Sequence, residues 1–510
     1  MDKKDWIIDC REDNNIMKIL VINCHCDNRG DEAAIHAMVD ELNKLYTNLS
    51  ITLAIRGIGT RYPNMPSNVK MIRQFCPGSF KSKIAHNIAL ITKGTLALSH
   101  NERILVNEIK DSDIVVHAPG GPSIGDLYYD DEPSYLSIFD LIISMNKKYM
   151  FYAPSMGPFK DEKRNMWRKK ILCKATAIVV RDPISYSYVN NFVPEKKPIL
   201  TLDSALQHDI DLTSNKVKLD KYKELCSFIK NHKKCIGVTI TDLSWHPKYS
   251  NNEIKIKIKE TFTNVLKNFV QNGYGIVFIP QLYGLGNDYN LMKEYCFDED
   301  NYFVICSDDE KYDTYFQQYV IGCMYAVIGM RYHSNIFSAK MGTPFISISY
   351  EQKMQGFMKK MELDRYCISL DKLSDEELKK KLNAEKVKQE DKEVEHHIGC
   401  FPWRKQLFEY YGIRYKRESS KTKYIDFKKA TKRQYGFSDI QYNRFPYDDV
   451  ISKAGGRAKS LKIGQRIYEK LMRQYNEKES DCNTAIIYTM EGILNEEQAG
   501  LCIINYYKDV

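Results

Sequence analysis

An arginine and a histidine that could bind and protonate an anionic substrate lie two residues apart near the middle of the chain. Arg331 and His333 follow the apolar run Tyr325–Ile328, which predicts a buried strand. Ser334 is the expected N-cap of a short helix over Asn335–Met341. At a strand-to-helix junction, backbone N–H groups and the helix dipole favour an anion. This stretch is therefore a candidate active-site floor.

The elements around this junction predict an α/β protein. Gly342 and Pro344 end the predicted helix, and Phe345–Tyr350 is the next expected strand. Near the start of the chain, the strand Lys18–Asn23 precedes a segment with apolar residues at helical spacing, Ala33–Leu45. Strands alternating with helices in this way are typical of a parallel sheet.

The strand–helix pattern stops in a polar segment at residues 210–234 and then starts again. We therefore predict two Rossmann-like domains that face each other across a cleft, followed by a C-terminal extension. Ligands of such folds bind at the carboxyl ends of the strands. The predicted domains are residues 17–210, 232–415 and 419–510. The loops expected at strand ends are residues 24–32, 118–126, 154–159, 181–183, 203–207, 281–288 and 329–334.

Composition limits the classes of function. The 510 residues include 75 Lys and Arg and 66 Asp and Glu, a net charge of 75 − 66 = +9. This modest excess suits anionic ligands or an anionic membrane surface, and no nucleic-acid-binding motif accompanies it. No apolar run reaches the roughly 18 residues of a membrane span. The first residues lack the apolar core of a signal peptide, and the 14 cysteines form no CxxC pairs, so we expect a cytoplasmic protein with reduced thiols.

No metal or cofactor is predicted. Cys24, His25 and Cys26 have metal-ligating side chains, but no second pair with the spacing of a zinc site accompanies them. Buried cysteines beside a strand are the favoured interpretation of this segment.

Taken together, the loops resemble those of the polysaccharide pyruvyl transferase family. The matching pieces occur in the family's order over roughly residues 17–410. One departure is Cys24–Asp27, which replaces a run that is typically rich in glycine. The matching pieces are Asn28–Glu32; Pro119–Gly121 with Gly125 and Asp126; Ser155–Pro158; Val180–Asp182 with Ser185; Asp203; and Gly329–His333, followed by Gly342, Pro344 and Tyr350–Lys353.

The resemblance implies a fold like that of GT-B glycosyltransferases, with phosphoenolpyruvate as the donor bound by the C-terminal domain. It also implies formation of a pyruvyl ketal on a sugar of a cell-surface glycan. Arg331 and Arg181 would bind the donor, because a guanidinium pairs with both carboxylate and phosphate. His333 would be the acid or base.

The remaining candidate residues each have a structural alternative. Asp31 and Asp126 are further candidate acid/base residues. The alternative for Asp31 is helix capping, for Arg181 an ion pair with Asp182, for Gly120 and Gly121 a tight turn, and for Lys353 a solvated surface position. Arg331 could instead form a structural salt bridge at the helix terminus, and His333 could be a hydrogen-bonded histidine without a catalytic role. Structural roles are equally open for Asp126 and Asp203. The other candidate substrate-binding residues are Gly30, Gly120, Gly121, Asp203 and Lys353.

Two other functions are compatible with the sequence. One is a GT-B glycosyltransferase that uses a nucleotide sugar, for which Glu351 could contact the ribose. The other is a non-catalytic scaffold of a glycan-assembly complex that binds through its C-terminal extension. The expected partners of the transferase are phosphoenolpyruvate and a glycan or lipid-linked saccharide, with peripheral association with membrane-bound assembly machinery at the inner face of the membrane.

Overall fold

The computed structural model describes residues 16–56, 62–206, 210–232, 234–283, 287–306, 309–361 and 363–381. The end of the second predicted domain, residues 382–415, and the whole predicted C-terminal extension, residues 419–510, lie outside the described residues. The described chain forms two units. Unit 1 comprises the residues up to Cys26 and Ala34–Ser204, and unit 2 comprises Asp27–Ala33 and the residues from Ala205 onward.

Seven strands in the described part of unit 1 form a parallel sheet in the order β3-β2-β1-β4-β6-β8-β9. Two short strands, β5 and β7, pair separately. The sequence did not reveal this pair, because glycine and proline are depleted in strands. The strands are β1 (Met17–His25), β2 (Leu49–Arg56), β3 (Val69–Arg73), β4 (Ile114–His117), β5 (Gly120–Ile124), β6 (Tyr149–Phe151), β7 (Pro154–Met156), β8 (Ala177–Val180) and β9 (Ile199–Leu200).

Apolar side chains on both faces of this sheet are buried under helices, as expected for a parallel sheet. Leu20 and Ile22 of β1 pack in one core cluster, and Ile19 and Val21 pack in the other. Cys24 joins the second cluster, as the sequence interpretation favoured. The helices are α1 (Arg29–Leu45), whose first turn is grouped with unit 2, α2 (Phe80–Ile91), α3 (His100–Asp111), α4 (Glu132–Ser144), α5 (Glu162–Lys174) and α6 (Pro183–Phe192).

Six strands in the described part of unit 2 form a second parallel sheet, in the order β12-β11-β10-β13-β14-β15. The strands are β10 (Cys235–Thr239), β11 (Gly275–Phe278), β12 (Tyr302–Val304), β13 (Ala326–Gly329), β14 (Phe345–Ser349) and β15 (Cys367–Ser369). The helices are α7 (Leu212–Lys221), α8 (Lys223–Asn231), α9 (Asn252–Gln271), α10 (Asp288–Lys293), α11 (Thr314–Cys323), α12 (Tyr332–Met341) and α13 (Gln352–Lys360).

Both sheets have the Rossmann strand order, so the predicted α/β class with two Rossmann-like units is confirmed. The order reverses between β1 and β4 in unit 1 and between β10 and β13 in unit 2. Ligands of open α/β sheets bind beside such a reversal, at the carboxyl ends of the strands. Arg331 lies two residues after the end of β13, and therefore at this position in unit 2.

The predicted start of the helix after β13 was wrong. α12 begins at Tyr332, its N-cap residue is Arg331, and Ser334 lies inside the first turn. The Ser334 hydroxyl donates to the Arg331 carbonyl instead of capping the helix (2.7 Å). The predicted end at Gly342 is confirmed, with a φ of 73° that glycine adopts without strain.

No helix in the described ranges is long and apolar enough to cross a bilayer.

Candidate active site

The turn that carries Arg331 is held by hydrogen bonds inside unit 2. The Thr239 hydroxyl at the end of β10 accepts from the backbone N–H groups of Met330 (3.1 Å) and Arg331 (3.3 Å). The same hydroxyl bonds Ser334 at 2.8 Å. A Cβ at Gly329 would overlap the amide oxygen of Asn335, so this position requires glycine. The turn therefore holds Arg331 and the start of α12 in one arrangement.

Arg331 is a buried cation with a carboxylate partner and spare donor capacity. Its guanidinium pairs with Asp288, whose second oxygen accepts from the backbone N–H groups of Gln281 (3.1 Å) and Leu282 (3.0 Å). Burial lowers the pKa of Arg331, but the Asp288 carboxylate outweighs it, and the pKa lies above its usual value. The Nε atom has no hydrogen-bond partner among the described residues. With 12% of its side chain exposed, Arg331 retains capacity to bind an anion.

His333 lies in the first turn of α12 and packs tightly against the first turn of α1. Its ring is buried beside Tyr332 and Phe337. A Cβ added to Gly30 would overlap the imidazole, so Gly30 leaves the space that the ring occupies. The backbone N–H of Gly30 donates to the Asn28 side chain at 2.8 Å, which fixes this turn. Substrate binding by Gly30 stays a prediction, whereas its contact with His333 gives it a defined structural role.

We expect Gly30→Ala to lower kcat about 10- to 100-fold if the His333 imidazole is the acid or base, because displacing such a group by about 1 Å can cost that much. The new methyl group must move the His333 ring, since the two would overlap. Steady-state kinetics with circular dichroism as a folding check measure this effect. Gly78→Ala is the matched control, because a Cβ there meets nothing within 4 Å. Unchanged kcat in folded Gly30→Ala protein would show that the ring position does not matter.

Glu32 anchors the first turn of α1 within unit 2. Its fully buried carboxylate accepts from Arg29 Nη1 (2.8 Å), from the Tyr283 hydroxyl (3.0 Å) and from the backbone N–H of Thr314 (2.8 Å). It therefore lies at the N-terminus of α11 as well as in the first turn of its own helix. The sequence did not reveal this role, because Glu32 and Thr314 are 282 positions apart.

Asp31 is placed differently from its neighbour. It is half-buried in the first turn of α1, and its carboxylate forms no hydrogen bond or ion pair with the described residues. An acidic group in a first helical turn stabilises the helix, so the capping interpretation retains support. The catalytic role of Asp31 stays a prediction.

Lys353 and Glu351 form an ion pair at the start of α13. The Lys353 Nζ lies 2.6 Å from Glu351, and the side chains are 13% and 1% exposed. Lys353 is thus not a solvated surface lysine, and its substrate-binding role stays a prediction. The charges of Glu351 and Lys353 also act on His246. Burial lowers the pKa of His246, and the Glu351 carboxylate raises it. Sequence reasoning missed His246 and Asp288, although Asp288 ends a loop that was expected at a strand end.

In unit 1, Arg181 belongs to a buried polar network. Its Nη1 pairs with Asp203 at 2.7 Å and its Nε donates to the Ser155 hydroxyl at 3.0 Å. Ser155 donates to Asp182 (2.9 Å), and Asp182 caps α6 by accepting from the Ser185 N–H. The ion pair therefore involves Asp203, whereas the structural alternative had paired Arg181 with Asp182. Donor binding by Arg181 and Asp203 stays a prediction.

Removing the Asp203 carboxylate should destabilise the protein strongly. Asp203→Ala leaves the Arg181 guanidinium buried without its ion-pair partner, which costs about 3–5 kcal/mol. Chemical denaturation measures the loss. Asp140→Ala is the control, because Asp140 pairs with Lys170 near the surface and such pairs contribute about 0–1 kcal/mol. Equal, small losses in both variants would contradict the buried-pair interpretation.

The segment after β5 is held by a second buried network. Arg168 of α5 binds Glu132 through two hydrogen bonds of 2.8 Å and pairs with Asp126 at 2.7 Å. Asp126 also accepts from the Lys160 N–H at 2.6 Å. The acid/base role of Asp126 stays a prediction beside this structural one. Sequence reasoning missed Glu132 and Arg168, since nothing local connects residues 36 positions apart.

The two candidate glycines of β5 differ. Gly120 has a φ of 145°, which disfavours any other residue. A Cβ at Gly121 would meet nothing within 4 Å. Their substrate-binding roles stay predictions.

Within the described ranges, no group of three or more His, Cys, Asp or Glu side chains is arranged to hold a metal ion.

Solved structures with a similar backbone trace include enzymes that are named for nucleotide sugars. A UDP-GlcNAc 2-epimerase from Neisseria meningitidis is 13% identical, covers 76% of this chain and 96% of its own, and has a TM-score of 0.45. The ADP-heptose lps heptosyltransferase II of E. coli is 10% identical and has a TM-score of 0.40. The match covers 74% of this chain and 100% of the heptosyltransferase. These scores are below 0.5, so the fold assignment rests on the strand orders above.

Sequence comparison gives a closer relationship. The amylovoran biosynthesis protein AmsJ of Erwinia amylovora is 24% identical over 396 residues, which cover 72% of this chain and 92% of AmsJ. The model of the polysaccharide pyruvyl transferase family matches residues 28–352. That range contains Arg331 and His333, all the strands of unit 1 after β1, and the first five strands of unit 2. The chain belongs to the polysaccharide pyruvyl transferase family.

Proposed function

We propose that the protein transfers a pyruvyl group from phosphoenolpyruvate to a sugar of a cell-surface polysaccharide, or of its lipid-linked precursor, and forms a pyruvyl ketal. The observation that carries this proposal is the Arg331 guanidinium at the N-terminus of α12, with His333 in the first turn of the same helix. Family membership and the similarity to AmsJ support a role in polysaccharide modification. We place the reaction in the cytoplasm, next to membrane-bound glycan assembly machinery.

Arg331 is suited to the donor because phosphoenolpyruvate carries a phosphate and a carboxylate. A guanidinium binds either group through charge-assisted hydrogen bonds. The positive end of the α12 dipole adds to the attraction. Lys353 supplies a second cation in unit 2, and its ammonium lies 5.8 Å from the ring of Tyr332 in the first turn of α12.

The chemistry needs one proton donor and one proton acceptor. Protonation of the donor's methylene carbon makes C2 electrophilic, and a sugar hydroxyl oxygen bonds to C2 as its proton leaves. The C2–O bond to phosphate then breaks, and a second sugar hydroxyl closes the ketal. Of the two hydroxyl protons, one balances the proton added to the methylene group and the other leaves with phosphate.

We assign proton transfer to His333 and, as its partner, to Asp31. His333 is held by Gly30 and the first turn of α12, and a positioned histidine typically accelerates such a step about 100- to 10,000-fold. Asp31 follows Gly30 directly, and its carboxylate is not engaged by the described residues. Two acid/base candidates thus lie on adjoining turns within unit 2.

Thermal unfolding with candidate donors tests the proposal. A ligand at about 100 times its Kd stabilises the folded protein by about 2.7 kcal/mol. We expect phosphoenolpyruvate to raise Tm, and UDP- and CMP-sugars to leave it unchanged. A rise with a nucleotide sugar alone would instead identify a glycosyltransferase. No rise with any donor or with donor plus acceptor would overturn donor binding by the folded protein.

A further inference from the structure

A cluster at the carboxyl edge of the unit 1 sheet has no role in the proposed chemistry. His25 and Arg56 are the last residues of β1 and β2 and are partners in the parallel register. Tyr135 of α4 contacts both, because its hydroxyl lies 3.4 Å from His25 Nε2 and its ring packs against Arg56. The cluster adjoins β1, where the strand order reverses and ligands of this fold bind.

The Arg56 guanidinium is fixed in place but incompletely bonded. Its central carbon lies 3.6 Å from the centre of the Tyr135 ring, and its Nη2 donates to the Ser134 hydroxyl at 3.0 Å. Its Nη1 is buried and has no hydrogen-bond partner among the described residues. A buried donor without an acceptor is unfavourable unless a ligand supplies one.

The charge of Arg56 also lacks a carboxylate partner within the described ranges. The buried arginines Arg29, Arg168, Arg181 and Arg331 differ in this respect, since each pairs with an aspartate or glutamate. Near Arg56, burial lowers the pKa of His117 to about 4, so that imidazole is uncharged at neutral pH. Burial raises the pKa of the Cys76 thiol, against the opposing charge of Arg56 and a hydrogen bond between the two side chains.

We propose that Arg56, with His25 and Tyr135, binds an anionic group of the acceptor saccharide, either a sugar carboxylate or a phosphate. A stacked guanidinium whose Nη1 has no acceptor among the described residues suits either oxyanion. The identification of the ligand as the acceptor rests on the proposed function, whereas the anion site itself rests on the geometry of unit 1.

Three sugars with the same ring test this site on the full chain: glucose, glucuronate and glucose 1-phosphate. Ligand-observed saturation-transfer NMR detects weak binding. We expect at least one anionic sugar to bind at least tenfold more tightly than glucose, and the preferred one identifies carboxylate or phosphate as the group bound. We expect Arg56→Ala to weaken that binding at least about tenfold. Tyr135→Phe keeps the ring and should weaken it about two- to tenfold through loss of the hydroxyl.

Arg103→Ala is the matched control, because Arg103 is exposed on α3, and it should leave binding unchanged. Arg56→Lys keeps the positive charge, so comparing it with Arg56→Ala separates a loss of ligand binding from a loss of folding. Equal binding of all three sugars, no binding of either anionic sugar, or full binding to folded Arg56→Ala protein would overturn the proposal. Phosphoenolpyruvate titrated in parallel should bind Arg56→Ala normally. Anion binding without any phosphoenolpyruvate binding would refute the proposed function and leave the anion site established.

Discussion

Arg331→Ala is expected to raise the Kd for phosphoenolpyruvate about 30- to 5,000-fold, the equivalent of about 2–5 kcal/mol for truncating one partner of a buried charge pair. The substitution removes the guanidinium from the N-terminus of α12 and leaves the Asp288 carboxylate buried without its cation. Isothermal titration calorimetry measures the change directly. Chemical denaturation of the same variant shows how much of the effect is loss of stability.

Two variants separate the contributions to this effect. Arg331→Lys keeps a positive charge but not the planar fork of donors, so we expect an intermediate Kd. Asp288→Asn removes the carboxylate that positions the guanidinium and should weaken donor binding less than Arg331→Ala does. Arg103→Ala, on the exposed face of α3, controls for the loss of one positive charge. Unchanged affinity in folded Arg331→Ala protein would remove Arg331 from the donor site.

His333→Gln is expected to lower kcat about 100- to 10,000-fold, the usual contribution of a positioned acid or base. Glutamine fills part of the space beside Gly30 and still forms hydrogen bonds, but it does not titrate near neutral pH. Because donor binding is assigned to Arg331, the Kd for phosphoenolpyruvate should change less than about threefold in this variant, well under 1.4 kcal/mol. Single-turnover kinetics and calorimetry measure the two quantities separately.

The control for His333 is His100→Ala, since His100 is exposed at the start of α3. A large rise in Kd with an unchanged kcat would make His333 a donor-binding residue and would assign proton transfer elsewhere, with Asp31 as the next candidate. If His333→Gln retained both kcat and Kd, the catalytic assignment in unit 2 would be wrong.

The sequence predicted those parts of the fold whose cause is local. Apolar runs identified β1, β13 and β14, and Gly342 marked the end of α12 because of its left-handed conformation. The start of α12 was misplaced, since Arg331 caps it without a side-chain hydrogen bond and Ser334 offered a more familiar signal. Glycine and proline likewise hid the short pair β5 and β7.

The site was predictable only as a set of loops. Arg331 and His333 were proposed as site residues from their position after a strand, and both lie within residues 28–352, which the family model matches. Their roles stay predictions. Their partners were not identifiable: Asp288 lies 43 positions from Arg331, and the contact between Gly30 and His333 joins distant parts of the chain. Contacts of this kind arise from strand order, which no local pattern encodes.

The most direct test of the central claim follows the carbon of the donor into the product. The protein is incubated with phosphoenolpyruvate labelled with ¹³C at C2 and with a lipid-linked saccharide extract from its own cell, and the glycan is examined by NMR while released phosphate is measured. We expect a ¹³C ketal carbon bonded to two sugar oxygens, one phosphate released per ketal, and no ketal formed by the His333→Gln variant. Label that stays in phosphoenolpyruvate, while sugar from an added nucleotide sugar enters the glycan, would rule out pyruvyl transfer.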